Sequence, residues 1–115
     1  MLSNRVNWET LRRFDSSTLT TSYQTFSTPL ANPSYICKVV NNSTSTVVIS
    51  IDGVNDIDVC PPNSFWLYDE SKVGSAGGFP AIPQGTQFYL KLETGSSAGT
   101  SGTYIYLVTQ YIIQG

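Results

Sequence analysis

The sequence predicts an all-β protein, an antiparallel β-sandwich with a jelly-roll-like arrangement of about seven to eight strands. Short runs rich in β-branched and aromatic residues alternate with clusters of Gly, Pro, Asn, Asp and Ser, as in antiparallel strands joined by turns. No stretch of about eleven residues carries a clean 3.6-residue apolar period flanked by caps, so helices are not expected. At 115 residues, the chain is long enough to bury one core and too short for two.

Residues 1–30 are predicted to form an N-terminal arm with edge strands, ahead of a sandwich domain over residues 31–115. Within the arm, Asn7–Phe14 fits a short capped helix, but its apolar residues also fit a two-residue period, and we favour a strand or extended arm. Ser17–Phe26 is rich in Thr and Tyr, which suits an edge strand. Two prolines interrupt the pattern over Ser27–Ser34.

Four strands are predicted in the middle of the chain, where four β-rich runs are separated by turn residues. The runs are Tyr35–Val40, Thr46–Ile51, Ile57–Cys60 and Ser64–Tyr68. In the second run Val47, Ile49 and Ile51 are expected on one face of the strand, and Val48 and Ser50 on the other.

The C-terminal part is predicted to contain a long loop followed by two strands. Asp69–Gln84 is a Gly- and Pro-bearing surface loop, and loops of this length often contact partners. Phe88, Leu90 and Leu92 alternate with more polar residues, which indicates a strand with one buried face. Thr103–Ile113 carries apolar or aromatic residues on both faces, so it is either central in the core or covered by a neighbouring subunit.

Composition argues against an enzyme and against several kinds of partner. The chain contains no histidine, which removes the commonest general base and the commonest metal ligand. Its net charge of −2 provides no cationic field for phosphates, so no nucleic-acid partner is expected. No apolar run approaches the roughly 20 residues of a membrane span, so no membrane partner is expected. No phosphate loop or carboxylate pair for glycoside cleavage is recognisable, and neither catalytic residues nor cofactors are predicted.

An acidic loop is the nearest approach to a metal site. Asp52, Asp56 and Asp58 surround Asn55 in a turn, and clustered oxygen ligands suit Ca²⁺. Gly53 stands in the wrong place for an EF-hand loop, and no bidentate Glu follows at the required spacing. We favour turn residues that solvate the loop, with a Ca²⁺ site as the weaker alternative.

Two cysteines, Cys37 and Cys60, fall in predicted strands and are too few for a disulfide framework. We favour two small buried side chains, with a single bridge as the alternative. A zinc site would need carboxylate ligands, because the chain has no histidine.

Large aromatic residues are numerous, with seven Tyr and two Trp. Core packing and cross-strand pairs are expected to use most of them, and burial in an interface or a sugar-stacking platform are the alternatives. In an assembly, we expect the arm and the strand edges to make the contacts. The predicted interface residues are Trp8, Arg12, Arg13, Phe14, Tyr23, Phe26, Tyr104 and Tyr106.

Several strings resemble a family of short β-rich virion structural proteins of tailed bacteriophages. The strings are Asn41–Thr44, Ser50–Asp56, Pro62–Phe65, Leu67–Asp69, Gly85–Tyr89 and Ser101–Tyr104. They form a pattern of turns between strands over residues 20–113, for which Cys60 and Trp66 are atypical. The family pattern contains no active-site residues to carry over.

The resemblance implies a non-enzymatic virion component, an accessory protein that cements or decorates the capsid or forms part of the neck or tail. Its expected partners are copies of itself and other virion proteins, and its expected location is the virion. The alternative is a carbohydrate-binding module at a tail or baseplate tip, in which exposed tyrosines and the acidic loop form the site.

Overall fold

A computed structural model describes residues 4–69 and 82–114, and the strands within these ranges form two antiparallel sheets. The predicted all-β sandwich is confirmed, with nine strands in the described ranges where about seven to eight were expected. One short 3₁₀ helix, Ser16–Thr18, is present as well. The strands are β1 Asn4–Trp8, β2 Arg12–Asp15, β3 Gln24–Thr25, β4 Ile36–Asn41, β5 Val47–Ser50, β6 Asp58–Cys60, β7 Ser64–Asp69, β8 Tyr89–Leu92 and β9 Tyr104–Gln114.

The order of the strands is that of a jelly roll. In the five-stranded sheet β9 pairs on one side with β1 and β2, end to end, and on the other with β4, which pairs with β7. The four-stranded sheet has the order β3-β8-β5-β6. Apart from β1, the strands form nested pairs, as in a long hairpin folded over into two sheets. The pairs are β2 with β9, β3 with β8, β4 with β7 and β5 with β6. The long strand β9 therefore has neighbours on both sides, in agreement with the central position that was one of the two alternatives for Thr103–Ile113.

The core lies between the two sheets and is built from alternate residues of facing strands. In β4, Cys37, Val39 and Asn41 point inward, as the buried-exposed alternation of the strand requires. In the other sheet, Leu90 and Leu92 point inward with Phe88, as predicted. The remaining fully packed residues of this core are Leu19, Phe26, Leu30, Val47, Ile49, Cys60, Ile105 and Leu107.

Residues 4–30 are hydrogen-bonded into both sheets. β1 and β2 pair with β9, β3 pairs with β8, and Leu19 and Leu30 lie in the core. Asn7–Phe14 forms parts of two strands, so the helix alternative is wrong. The segment expected as an arm thus contributes edge strands and core residues over its described length.

Ser17–Phe26 is not one edge strand, and this prediction is wrong over most of its length. The Asp15 carboxylate accepts hydrogen bonds from the backbone N–H and the hydroxyl of Ser17, which caps the 3₁₀ helix. Gln24 then bonds back to Thr20 N and Thr18 O, so only the two residues of β3 pair with β8. In this segment, polar side chains therefore make hydrogen bonds with nearby backbone groups in place of the hydrogen bonds of a β-ladder.

The alternation predicted around Ile51 is also wrong in one position. β5 ends at Ser50, and Ile51 is exposed because the chain turns there. Val48 faces away from the core, yet it is 2% exposed beside Lys91 and Val59. Most of the predicted loop Asp69–Gln84 lies outside the described residues.

Candidate functional site

The strand register directs one set of side chains of the five-stranded sheet away from the core. Because side chains alternate along a strand, and Cys37, Val39 and Leu107 point inward, their neighbours point outward. We call this set the outer face. Its described members are Val6, Trp8, Arg13, Asp15, Ile36, Lys38, Val40, Phe65, Leu67, Asp69, Tyr104, Tyr106, Val108 and Gln110.

Apolar and aromatic side chains predominate among the described members of the outer face. Phe65 is 60% exposed and Leu67 47% on the edge strand β7, and Trp8 is 57% exposed on the opposite edge. The exposed face of an antiparallel sheet is usually polar, and contiguous exposed apolar patches on a small protein commonly mark binding surfaces. This face therefore has the composition of an interface.

The middle of the outer face is hollow. A depression of about 700 Å³ lies over β4, between β7 and β9, and Ile36, Val40 and Tyr106 line it. Phe65 and Leu67 form its wall on the β7 side. The side chains of β4 in this hollow are half-buried, whereas those of β7 stand out into solvent, so the surface has relief.

The charged groups of the outer face are few and of both signs. Arg13 lies opposite Tyr106 and Asp15 opposite Tyr104, while Lys38 lies opposite Leu67 on β7. Asp69, the last residue of the edge strand β7, lies opposite Ile36. With two cationic and two anionic side chains among its described members, the face carries no net charge of one sign.

The acidic loop forms a turn, with its carboxylates bonded to different partners. Asp52 accepts hydrogen bonds from Val54 N and Asn55 N at 2.8 Å and from Asn55 Nδ2 at 2.7 Å. The backbone hydrogen bond from Asn55, reinforced by the others, lowers the pKa of Asp52. This geometry agrees with the favoured interpretation of these residues as turn formers.

Asp56 and Asp58 reach across to other strands. The Tyr23 hydroxyl donates a hydrogen bond to the Asp56 carboxylate, which also pairs with Lys91 Nζ at 3.1 Å. The Nε1–H of Trp66 donates a hydrogen bond to Asp58. Partial burial and the Asp56 carboxylate raise the pKa of Tyr23 to about 12. Within residues 4–69 and 82–114, no three His, Cys, Asp or Glu side chains come together as a metal site.

A buried ion pair between Glu9 and Arg12 joins β2 to the segment that follows it. Arg12 is 7% exposed and donates to Glu9 Oε1 at 2.9 Å, to Thr28 O at 3.0 Å and to Pro29 O at 2.9 Å. Glu9 in turn accepts from the backbone and side chain of Asn32. Burial opposes ionisation of Glu9, but the hydrogen bonds from Arg12 and from the 31–32 backbone prevail and lower its pKa.

The predicted interface residues therefore lie in three different places. Trp8, Arg13, Tyr104 and Tyr106 lie on the outer face, and Tyr23 lies beside Tyr89 on the far side of the other sheet. The remaining three point into this chain, which corrects their assignment to a partner contact. These are Arg12, Phe14 and Phe26, of which the two phenylalanines pack edge to face at 6.1 Å against the core.

Sequence reasoning missed the part of the outer face on β4 and β7. The signal was present in Phe65, Trp66 and Leu67, three consecutive large apolar residues, since an alternating strand must place some of these outward. In the structure Trp66 points inward and packs against Phe88, and its two neighbours point out.

Both cysteines are buried and unpaired, which confirms the favoured interpretation and excludes the bridge. Cys37 belongs to β4 and Cys60 to β6, in opposite sheets. Burial raises the pKa of Cys37 to about 12, and burial also raises the pKa of Cys60. Neither thiol is set up as a nucleophile.

The fold and the outer face define the class of protein as a jelly-roll β-sandwich with an apolar sheet face that the described residues leave exposed. Comparison with protein-family models, with curated proteins and with solved structures gives no match. In the part of the chain that the structure describes, no helix has the length and apolar character needed to cross a membrane.

Proposed function

We propose that this chain is a non-enzymatic structural component of a tailed-phage virion that assembles through its outer face. It would cement or decorate the capsid, or form part of the neck or tail. The observation that carries the proposal is the large apolar fraction of the outer face, with Phe65 and Trp8 more than half exposed. Burying such residues stabilises an assembly by about 25 cal/mol for each Å² removed from water.

Composition and resemblance support the same role. Charged residues make up only 12% of the chain, about half of the usual share, and repeated subunits of a shell or tail need few charges where they contact one another. The turn pattern shared with short virion proteins points to the particle as the location. Copies of this chain and other virion proteins are the partners that follow.

The test uses particles of the phage that encodes the chain, purified after deletion of the gene, with recombinant protein added back. We expect wild-type protein to bind the particles to saturation, and Phe65→Ser with Leu67→Ser to abolish binding. Val54→Ser is the matched control, because Val54 is 77% exposed on the acidic loop, outside the outer face. Absence of the chain from undeleted particles by mass spectrometry would refute the virion role.

Copy number in the particle then selects the location. Hundreds of copies indicate the capsid surface, whereas on the order of ten indicate a ring in the neck or tail with cyclic symmetry. Quantitative mass spectrometry against the major capsid protein provides this ratio.

A carbohydrate-binding module remains the second candidate, and one cluster favours it. Tyr23 and Tyr89 meet edge to face at 6.4 Å beside the acidic loop, and Lys91 Nζ lies 4.5 Å from the centre of the Tyr23 ring. Aromatic rings beside polar groups are typical of sugar sites. Glycan-array binding that Tyr89→Ala removes would establish this function, and an array without any binding would exclude it for the sugars tested.

A further inference from the structure

We infer that the outer face pairs with a second copy of this chain in a two-fold dimer, in which each copy inserts Phe65 and Leu67 into the hollow of the other. The inference rests on the proposed function and deepens it, because it names a second copy as the partner that covers the outer face and makes the pair the unit that enters the particle. Three features of the face carry it, namely its area, its charge balance and its relief.

The area of the face is sufficient for a stable pair. The five strands of this sheet contain 32 residues, which corresponds to about 500 Å² in projection for strands ~4.8 Å apart that rise ~3.3 Å per residue. Side-chain relief increases the accessible area, so two such faces bury roughly 1,200 Å² or more in total, the lower end of stable interfaces. Sheets that pack in this way lie about 10 Å apart.

The charge balance suits a contact between identical surfaces. In a two-fold dimer the same patch is present on both sides, so a face of one sign would repel its own copy. The described members of this face include two cations, Arg13 and Lys38, and two anions, Asp15 and Asp69, whose charges sum to zero. A partner of strongly acidic or strongly basic surface would find no complementary field here.

The relief of the face is complementary to itself. Phe65 and Leu67 stand out from β7, and the hollow lined by Ile36, Val40 and Tyr106 lies directly beside them. Two-fold symmetry requires that if the projection of one copy enters the hollow of the other, the reverse contact forms as well. One surface with an adjacent projection and hollow therefore closes on a second copy and leaves neither apolar group in water.

Analytical ultracentrifugation of the full chain between about 1 and 200 µM tests the dimer. We expect a concentration-dependent species of twice the 12.6 kDa chain mass. Phe65→Ser removes the projection from both copies at once and raises the dimer dissociation constant by about 30-fold, which corresponds to about 1 kcal/mol for the apolar anchor lost from each copy. Val40→Trp fills the hollow while keeping it apolar, and we expect it to weaken the dimer too, whereas Val54→Ser leaves it unchanged.

Several results would overturn the inference. These are a monomer at every concentration, a dimer whose affinity is the same in Phe65→Ser, and a dimer that Val40→Trp strengthens, which would indicate unspecific apolar contact. Each variant must melt cooperatively near the wild-type temperature, and Leu67→Ser replaces Phe65→Ser if that variant does not fold. A monomer that still saturates gene-deleted particles refutes the dimer alone, and a dimer that never enters particles refutes the virion role alone.

Discussion

The two outward faces of the sandwich differ in how their side chains are covered. On the five-stranded sheet, Phe65 and Trp8 project into solvent with no loop of the described chain across them. On the four-stranded sheet, Val48 is buried, and the acidic loop is tied to the sheet by the contacts of Asp56 with Tyr23 and Lys91. The described chain therefore shields Val48 on the outside of the four-stranded sheet, whereas Phe65 and Trp8 remain exposed on the outside of the five-stranded sheet.

The largest effect should separate the core from the outer face. Phe88→Ala empties a site in the core, where the ring is 1% exposed and packs on Trp66, and we expect it to lower the free energy of unfolding by about 4 kcal/mol. Urea denaturation monitored by circular dichroism measures this. A loss below about 1 kcal/mol would mean that the space between the sheets is not the core.

The Glu9–Arg12 pair comes next, because it holds the outer edge of the five-stranded sheet to residues 28–32. Glu9→Gln leaves the buried Arg12 guanidinium without its counter-charge, and we expect a loss of about 3 kcal/mol at pH 7.

The same variant should alter the acid sensitivity of the fold. The folded pKa of Glu9 lies below its ordinary value of 4.5, so the unfolded chain binds the extra proton as pH falls. Its contribution is complete above about pH 4.5 and disappears as pH falls through the folded pKa. Between pH 5 and 3, Glu9→Gln should therefore lose stability less steeply than wild type, and equal slopes in the two unfolding curves would contradict this account.

The covered face of the four-stranded sheet predicts a smaller, local effect. Asp56→Asn removes the carboxylate that contacts Tyr23 and pairs with Lys91, so the pKa of Tyr23 should move from about 12 toward the ordinary value of 10. Nuclear magnetic resonance titration of ring-labelled tyrosine follows this residue separately from the other six. A Tyr23 titration that stays unchanged would show that Asp56 does not bind the ring hydroxyl in solution.

The smallest effect on stability is expected on the exposed outer face. Phe65→Ser should change the free energy of unfolding of the monomer by less than about 0.5 kcal/mol, since surface substitutions rarely cost more. Thermal denaturation at low concentration, where any dimer is dissociated, measures the monomer alone. A loss as large as that of Phe88→Ala would show that Phe65 packs within its own chain, and the comparison of the two faces would fail.

Sequence patterns predicted the strands well where side-chain burial alternates and poorly where polar side chains hold the backbone. Phe88, Leu90 and Leu92 alternate with more polar residues in the sequence, and all three side chains are buried in the structure. Ser17–Phe26 has β-forming composition, but Asp15 and Gln24 bond to nearby backbone groups and prevent a long strand. Such local hydrogen bonds compete with sheet pairing and leave no periodic signal.

For the candidate site, the sequence predicted the part of the outer face on β1, β2 and β9 but not the part on β4 and β7. Trp8, Arg13, Tyr104 and Tyr106 were predicted as interface residues and lie on the outer face, while Phe26 was predicted with them and lies in the core. Residue type cannot separate these cases, because an aromatic ring is equally favourable in a core and in an interface.

The β class, the turns and the two apolar faces of β9 follow from the amino-acid sequence, because strand periodicity and turn chemistry are local properties. Which of the two faces of β9 packs on the core depends on the tertiary structure. That choice depends on pairing β9 with β1, β2 and β4, strands distant in the chain, and on the jelly-roll order that directs Val40 and Phe65 outward. Contacts between distant segments decide burial, and no local pattern records them.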